Sequence, residues 1–127
     1  MANLSKIILV VDDDPYSLKL MRVILEKKSY TIWGASDGSE ALELVSQNPD
    51  LVLMDIRLPY TTGFDICKQI KDNTLTKHIP VILYSSLITD EQFEEGMKVG
   101  VDAFLTKPFT SEELIQFVNR FLSSQGN

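Results

Sequence analysis

Five short apolar runs punctuate this chain, and a longer amphipathic stretch follows each of them. That alternation constrains the fold more than any other feature. The first run, Ile7-Ile8-Leu9-Val10-Val11, is rich in β-branched residues and too short for a helix, which predicts a buried strand. Residues 15 to 28 then carry Leu18, Met21 and Leu25 at helical spacing. The pattern repeats with a strand over 30–35 and a helix over 38–47, then a strand over 51–54 and a helix faced by Phe64, Cys67 and Ile70. A strand over 81–84, a helix over 90–98 and a strand over 103–106 follow. The last helix opens on Thr110-Ser111-Glu112-Glu113, a capping-box pattern, and buries Leu114, Phe117, Val118, Phe121 and Leu122. Met97, Val99 and Val101 are expected to pack around Gly100, and Trp33 between sheet and helix. Five βα units in succession imply a parallel sheet covered by helices on both faces. No repeat or low-complexity linker divides the 127 residues, so one domain is expected over 1–127, with a core of about 6–122 and a frayed tail at 123–127.

In an open parallel sheet, ligands bind outside the carboxyl ends of the strands. Asp12, Asp13 and Asp14 follow the first strand, Asp55 the third, Ser85 the fourth and Lys107 the fifth. Asp14 before Pro15 reads as a helix cap with proline at the first helical position. Asp12 and Asp13 have no such use. Together with Asp55 they form a cluster of hard oxygen anions, which calls for a cation, and few carboxylates with waters suit Mg²⁺. Asp55, held by an apolar strand, is the candidate nucleophile, since a carboxylate can accept a phosphoryl group as an acyl phosphate. Mg²⁺ and Lys107 would neutralise the meeting of two anions, and Ser85 would donate a hydrogen bond to a phosphoryl oxygen.

The formal net charge of −6 argues against nucleic acid as a partner. No apolar run approaches the ~20 residues that cross a membrane, and the N-terminus lacks a signal-peptide pattern, so a cytoplasmic protein without membrane insertion is expected. Cys67, the single cysteine, excludes an internal disulfide and is expected to face the sheet as a small hydrophobe. His78, with no ligand-type neighbour, reads as a loop residue.

The stretches Val10-Val11-Asp12-Asp13, Leu51 to Pro59, Ile79 to Ser86 and Phe104 to Phe109 occur in order. With them the chain resembles the receiver domains of two-component response regulators, CheY-like proteins, from Lys6 to about Leu122. The resemblance implies a flavodoxin-like three-layer α/β/α sandwich, its five-stranded parallel sheet in the order 2-1-3-4-5 with five helices. It implies a phospho-accepting switch, not an enzyme on other substrates, with Asp55 phosphorylated by a sensor histidine kinase. Asp13, Asp55 and the backbone carbonyl of Arg57 would ligate Mg²⁺ directly, and Asp12 through a water. Lys107 would pair with the acyl phosphate, Ser85 would move to it, and Phe104 would be the aromatic residue that turns inward. The bond before Pro108 would be cis. A downstream protein would read the surface of the fourth helix, fifth strand and fifth helix, on a monomer or weak dimer. With no effector segment in the chain, output is expected through another protein. Departures from the family pattern are Tyr60-Thr61-Thr62-Gly63 after Pro59, Ser86 beside the site, and Phe104 without a tyrosine hydroxyl.

Other readings start from the same residues. Asp12-Asp13-Asp14 satisfies the Asp-x-Asp pattern of haloacid-dehalogenase-type phosphatases, with Asp12 as nucleophile, but leaves Asp55 without a role. A flavin binder would meet three carboxylates where it needs to hold a phosphate. A relay intermediate, passing its phosphoryl group to a histidine phosphotransfer protein, would use the same five chemical positions.

Overall fold

The computed structural model describes residues 5–122, so the tail expected at 123–127 lies outside the described residues. Strands β1 (Ile7–Val11), β2 (Thr31–Ala35), β3 (Leu51–Asp55), β4 (Val81–Ser85) and β5 (Ala103–Thr106) form one parallel sheet in the order β2-β1-β3-β4-β5. Helices α1 (Pro15–Glu26), α2 (Gly38–Val45), α3 (Gly63–Asp72), α4 (Asp90–Val99) and α5 (Ser111–Leu122) cover it. No helix among the described residues is long and apolar enough to cross a membrane.

Strand pleating divides the apolar residues between two cores. Ile8, Val10, Leu51, Leu53, Ile82 and Tyr84 face α1 and α5, meeting Met21, Leu25, Leu114 and Val118. Leu9, Val11, Val52, Met54, Val81 and Leu83 face the other layer, meeting Ala41, Val45, Phe64, Cys67 and Ile70, with Trp33 packed at the edge. The central strands are apolar on both faces because both faces are covered. Burial pushes the Cys67 thiol up to about 11, which leaves it a packing group with little thiolate.

Local chemistry sets the helix starts. Asp14 accepts the Tyr16 N–H with Pro15 next in line, Asp37 accepts from Glu40, and Thr62 from Asp65. Thr89 with Gln92, and Thr110 with Glu113, close reciprocal capping boxes. Gly100 ends α4 at a φ of 92°, a left-handed turn that favours glycine.

Three details depart from the sequence reading. Helices α1 and α2 stop two residues earlier than expected. Met97 is 61% exposed and does not pack around Gly100. Gly96 is the buried residue of α4, and the next position turns roughly 100° away from the sheet. The segment after β3 holds an antiparallel pair, Arg57–Leu58 with Thr61–Thr62, that no periodicity announced.

This pair delivers the chain to Gly63, where α3 begins against the end of β3. A Cβ at Gly63 would stand 2.8 Å from the carbonyl oxygen of Asp55 and 3.0 Å from Leu83 Cδ2. The Gly63 N–H also donates to the Ile56 carbonyl at 2.7 Å, so the backbone cannot retreat cheaply. Gly63→Ala is therefore expected to lower stability by ~1–3 kcal/mol, as overpacking does, and to lower Tm in a thermal melt. An unchanged Tm would show that α3 slides without cost.

Candidate functional site

At the carboxyl edge of the sheet, an open cleft of about 460 Å³ is lined by Asp12, Asp13, Asp14, Asp55, Arg57, Leu58, Pro59 and Lys107. The loops after β1, β3 and β5 supply these side chains. Parallel register makes this convergence unavoidable: Val11 stands beside Met54, and Asp55 beside Tyr84. Whatever leaves β1 and β3 therefore emerges at one level.

The aspartates differ in environment. Asp12 is 1% exposed. Its Oδ2 accepts the Tyr84 hydroxyl at 2.7 Å and its Oδ1 accepts the Asp14 N–H at 2.9 Å. Its own N–H donates to the Ala35 carbonyl at 3.0 Å, which ties the end of β1 to the end of β2. Asp13 is exposed. Asp14 turns to α1, accepting from Tyr16 N–H and the Ser17 hydroxyl, both at 3.0 Å.

Asp55 ends β3 with its side chain 16% exposed. Oδ1 accepts the Arg57 N–H at 2.9 Å, and Oδ2 lies 3.8 Å from the Lys107 ammonium. Desolvation by burial raises its pKa above the ordinary carboxylate value, and the Asp12 and Asp13 charges add to the rise. The Arg57 N–H and the Lys107 charge act against it. Lys107 also stands 3.8 Å from Asp12 Oδ2, so one cation spans a buried carboxylate and a half-buried one.

Other candidates sit outside the carboxylate cleft. Ser85 closes β4 half-buried, its Oγ 3.5 Å from the Leu87 N–H. The Lys107–Pro108 peptide bond is cis. Pro108 and Ser86 line an apolar groove with Leu20, Met21 and Phe109, which adjoins the cleft at Lys107. Phe104 is half-buried, with ring centroids 5.6 Å from Phe93 and 6.5 Å from Phe64. It lies directly over Gly96, where a Cβ would meet its ring at 2.2 Å. Sequence reasoning missed Tyr84. It read as one more apolar strand residue, and its only signal was a hydroxyl on a fully buried strand next to an acid-bearing loop.

The cleft presents oxygen donors only, which suits a hard cation. Among the described residues, no three His, Cys, Asp or Glu side chains could hold a metal ion by themselves. An ion held by an all-protein cage would not fit such a site. Mg²⁺ does fit it, because it binds through one or two carboxylates and keeps several waters. Asp13 is exposed and Asp55 half-buried, while both oxygens of Asp12 already accept hydrogen bonds from the protein.

Residues 8–119 match the family described as response regulator receiver domain. The chain is 36% identical over 114 residues to the alkaline phosphatase synthesis transcriptional regulatory protein PhoP of Bacillus subtilis, covering 87% of this chain and 46% of that protein. It thus spans less than half the length of that relative. It is 32% identical over 120 residues to the polar-differentiation response regulator DivK of Brucella ovis, covering 94% of this chain and 98% of DivK. In structure it is similar to the Vibrio cholerae chemotaxis protein CheY4, with a TM-score of 0.89, 28% identity, and coverage of 94% and 100% of the two chains.

Proposed function

Because the chain belongs to the response regulator receiver domain family, we propose that it is a cytoplasmic Mg²⁺-dependent phospho-accepting switch, one unit over about residues 6–122. The observation that carries this reading is the pairing of Asp55 with Lys107 in a carboxylate cleft. A carboxylate oxygen of Asp55 attacks the phosphorus of a phosphohistidine on a sensor kinase. The P–N bond breaks, the imidazole leaves with the bonding pair, and an acyl phosphate forms on Asp55. Asp13, Asp55 and the backbone carbonyl of Arg57 would hold Mg²⁺, with Asp12 acting through a water. Bound there, the ion neutralises charge on the phosphoryl oxygens. Lys107 supplies a second positive charge beside Asp55, and Ser85 supplies a hydroxyl from the neighbouring strand end.

Output would pass to a downstream protein through α4, β5 and α5. Support comes from α4, whose outer face leaves Phe93 52% and Met97 61% exposed beside Glu91, Glu94 and Glu95. Phe104 lies beneath that face and packs on Phe93, so its movement would alter what a partner meets.

A phosphatase using Asp12 as nucleophile has little to recommend it. Asp12 is buried and both its oxygens accept hydrogen bonds, whereas a nucleophile needs an exposed lone pair.

Intact-mass measurement after incubation with acetyl phosphate tests the proposal. A single phosphoryl adduct is expected with Mg²⁺ and almost none with EDTA. No adduct in Mg²⁺, or an equal adduct in EDTA, would overturn it.

A further inference from the structure

Behind the cleft stands Tyr84, on β4 with 0% exposure, facing the α1/α5 core. A tyrosine buried to this depth must hydrogen-bond its hydroxyl, and the partner here is an acid of the cleft. The hydroxyl donates to Asp12 Oδ2 at 2.7 Å and lies 3.4 Å from the Val11 carbonyl. The face of the same ring carries the Lys107 ammonium at 4.8 Å from its centroid. On another side, Phe109 packs near edge-on with centroids 6.2 Å apart, which leaves the ring little freedom to turn. One rigid side chain thus touches both the acid of β1 and the lysine after β5.

We propose that Tyr84 is a positioning residue of the phosphoryl-accepting site, holding Asp12 by its hydroxyl and Lys107 by its ring. The inference rests on the proposed function and deepens it. With Oδ2 held by Tyr84 and Oδ1 by the Asp14 N–H, the Asp12 carboxylate has one orientation. At 1% exposure it stays back in the cleft wall with both oxygens engaged, and the direct positions fall to Asp13 and Asp55. Partners of direct metal ligands typically change metal affinity 10–100-fold when removed, and Tyr84, acting through the water-linked Asp12, belongs at the low end of that range. The ring has a separate effect. It keeps the Lys107 ammonium at equal distance, 3.8 Å, from Asp12 and Asp55 and does not let it collapse onto either.

The two contacts can be separated because phenylalanine keeps the ring and loses the hydroxyl. Tyr84→Phe is expected to weaken Mg²⁺ binding about tenfold by calorimetry, with the phosphorylation rate at saturating Mg²⁺ little changed. Tyr84→Leu loses both contacts, so the saturated rate should fall as well, about tenfold below Tyr84→Phe, if the ring contact contributes ~1–2 kcal/mol. In an Asp12→Asn background the Tyr84→Phe effect on Mg²⁺ affinity should vanish. The metal-free melting curves report whether each variant is folded. For the unaltered chain, the ring NMR resonances of Tyr84 are expected to shift with Mg²⁺ saturation, a readout independent of any variant. An Mg²⁺ affinity for folded Tyr84→Phe within twofold of the parent would overturn the inference. So would an effect that persists without Asp12, or rings that ignore Mg²⁺. If the unaltered chain binds no Mg²⁺, the proposed function fails and this inference falls with it. If it binds and only the Tyr84 variants behave like the parent, the inference fails alone.

Discussion

Asp55→Asn is expected to take up no phosphoryl group from acetyl phosphate, and to melt a few degrees higher than the parent in EDTA at neutral pH. The first effect follows from the nucleophile: an amide oxygen does not form the acyl phosphate, and among the described residues the exposed Asp13 has no ion pair with Lys107, which reaches only Asp12 and Asp55. Asp12 is buried and fully hydrogen-bonded, and Asp14 is turned to its helix. The second effect follows from charge. Burial, with Asp12 and Asp13 close by, raises the Asp55 pKa in the folded chain. A group raised in this way binds its proton more tightly folded than unfolded. Its contribution is fully present below the ordinary carboxylate range and is lost as pH rises through the raised value. Asparagine keeps the acceptor for the Arg57 N–H and removes the charge. The gap in Tm between Asp55→Asn and parent should therefore be small in acid, widen as pH rises, and level off near neutrality. Intact mass and paired melting curves check both halves. An adduct on the variant would relocate the nucleophile, and a lower Tm at neutral pH would contradict the charge argument.

Lys107→Ala is expected to slow phosphorylation by ~10²–10³-fold, the usual loss when one preorganised group that stabilises developing charge is removed. Lys107 reaches Asp55 Oδ2 and Asp12 Oδ2 alike, at 3.8 Å, from a loop on the far side of β4. Contacts this long leave room for an incoming phosphoryl oxygen, and the ammonium would close on it. Arginine should not restore the rate, because its planar fork neither matches the compact ammonium nor sits in the same place over the Tyr84 ring. Rates with acetyl phosphate at saturating Mg²⁺ are the measurement. A loss under threefold would mean that Lys107 serves Asp12 and not the transferred group.

Much of this molecule was legible from residue types and spacing. The sheet and its five helices followed from five short apolar runs alternating with helical periodicity. The helix starts at Asp14 and Thr110 followed from capping chemistry, which acts over two or three residues. That Asp12, Asp13, Asp55 and Lys107 would stand at one edge followed from the rule that parallel strands end on the same side. Met97 went wrong because a helix with a single buried glycine offers no apolar stripe to count from. The turn pair around Pro59 was invisible because two residues have no period.

Sequence alone thus determined which residue types arrive at the cleft, since strand direction and local capping are encoded over short stretches. The tertiary structure decided how three similar aspartates divide their work. Asp12 is a held acid because a tyrosine 72 residues away donates to it. Asp55 is the half-buried, raised one because burial at the end of β3, with Asp12 and Asp13 close by, outweighs the Arg57 N–H and the Lys107 charge. Those assignments depend on distances across the sheet of a few ångströms. Periodicity reports which face a side chain takes, and carries no information about what stands opposite.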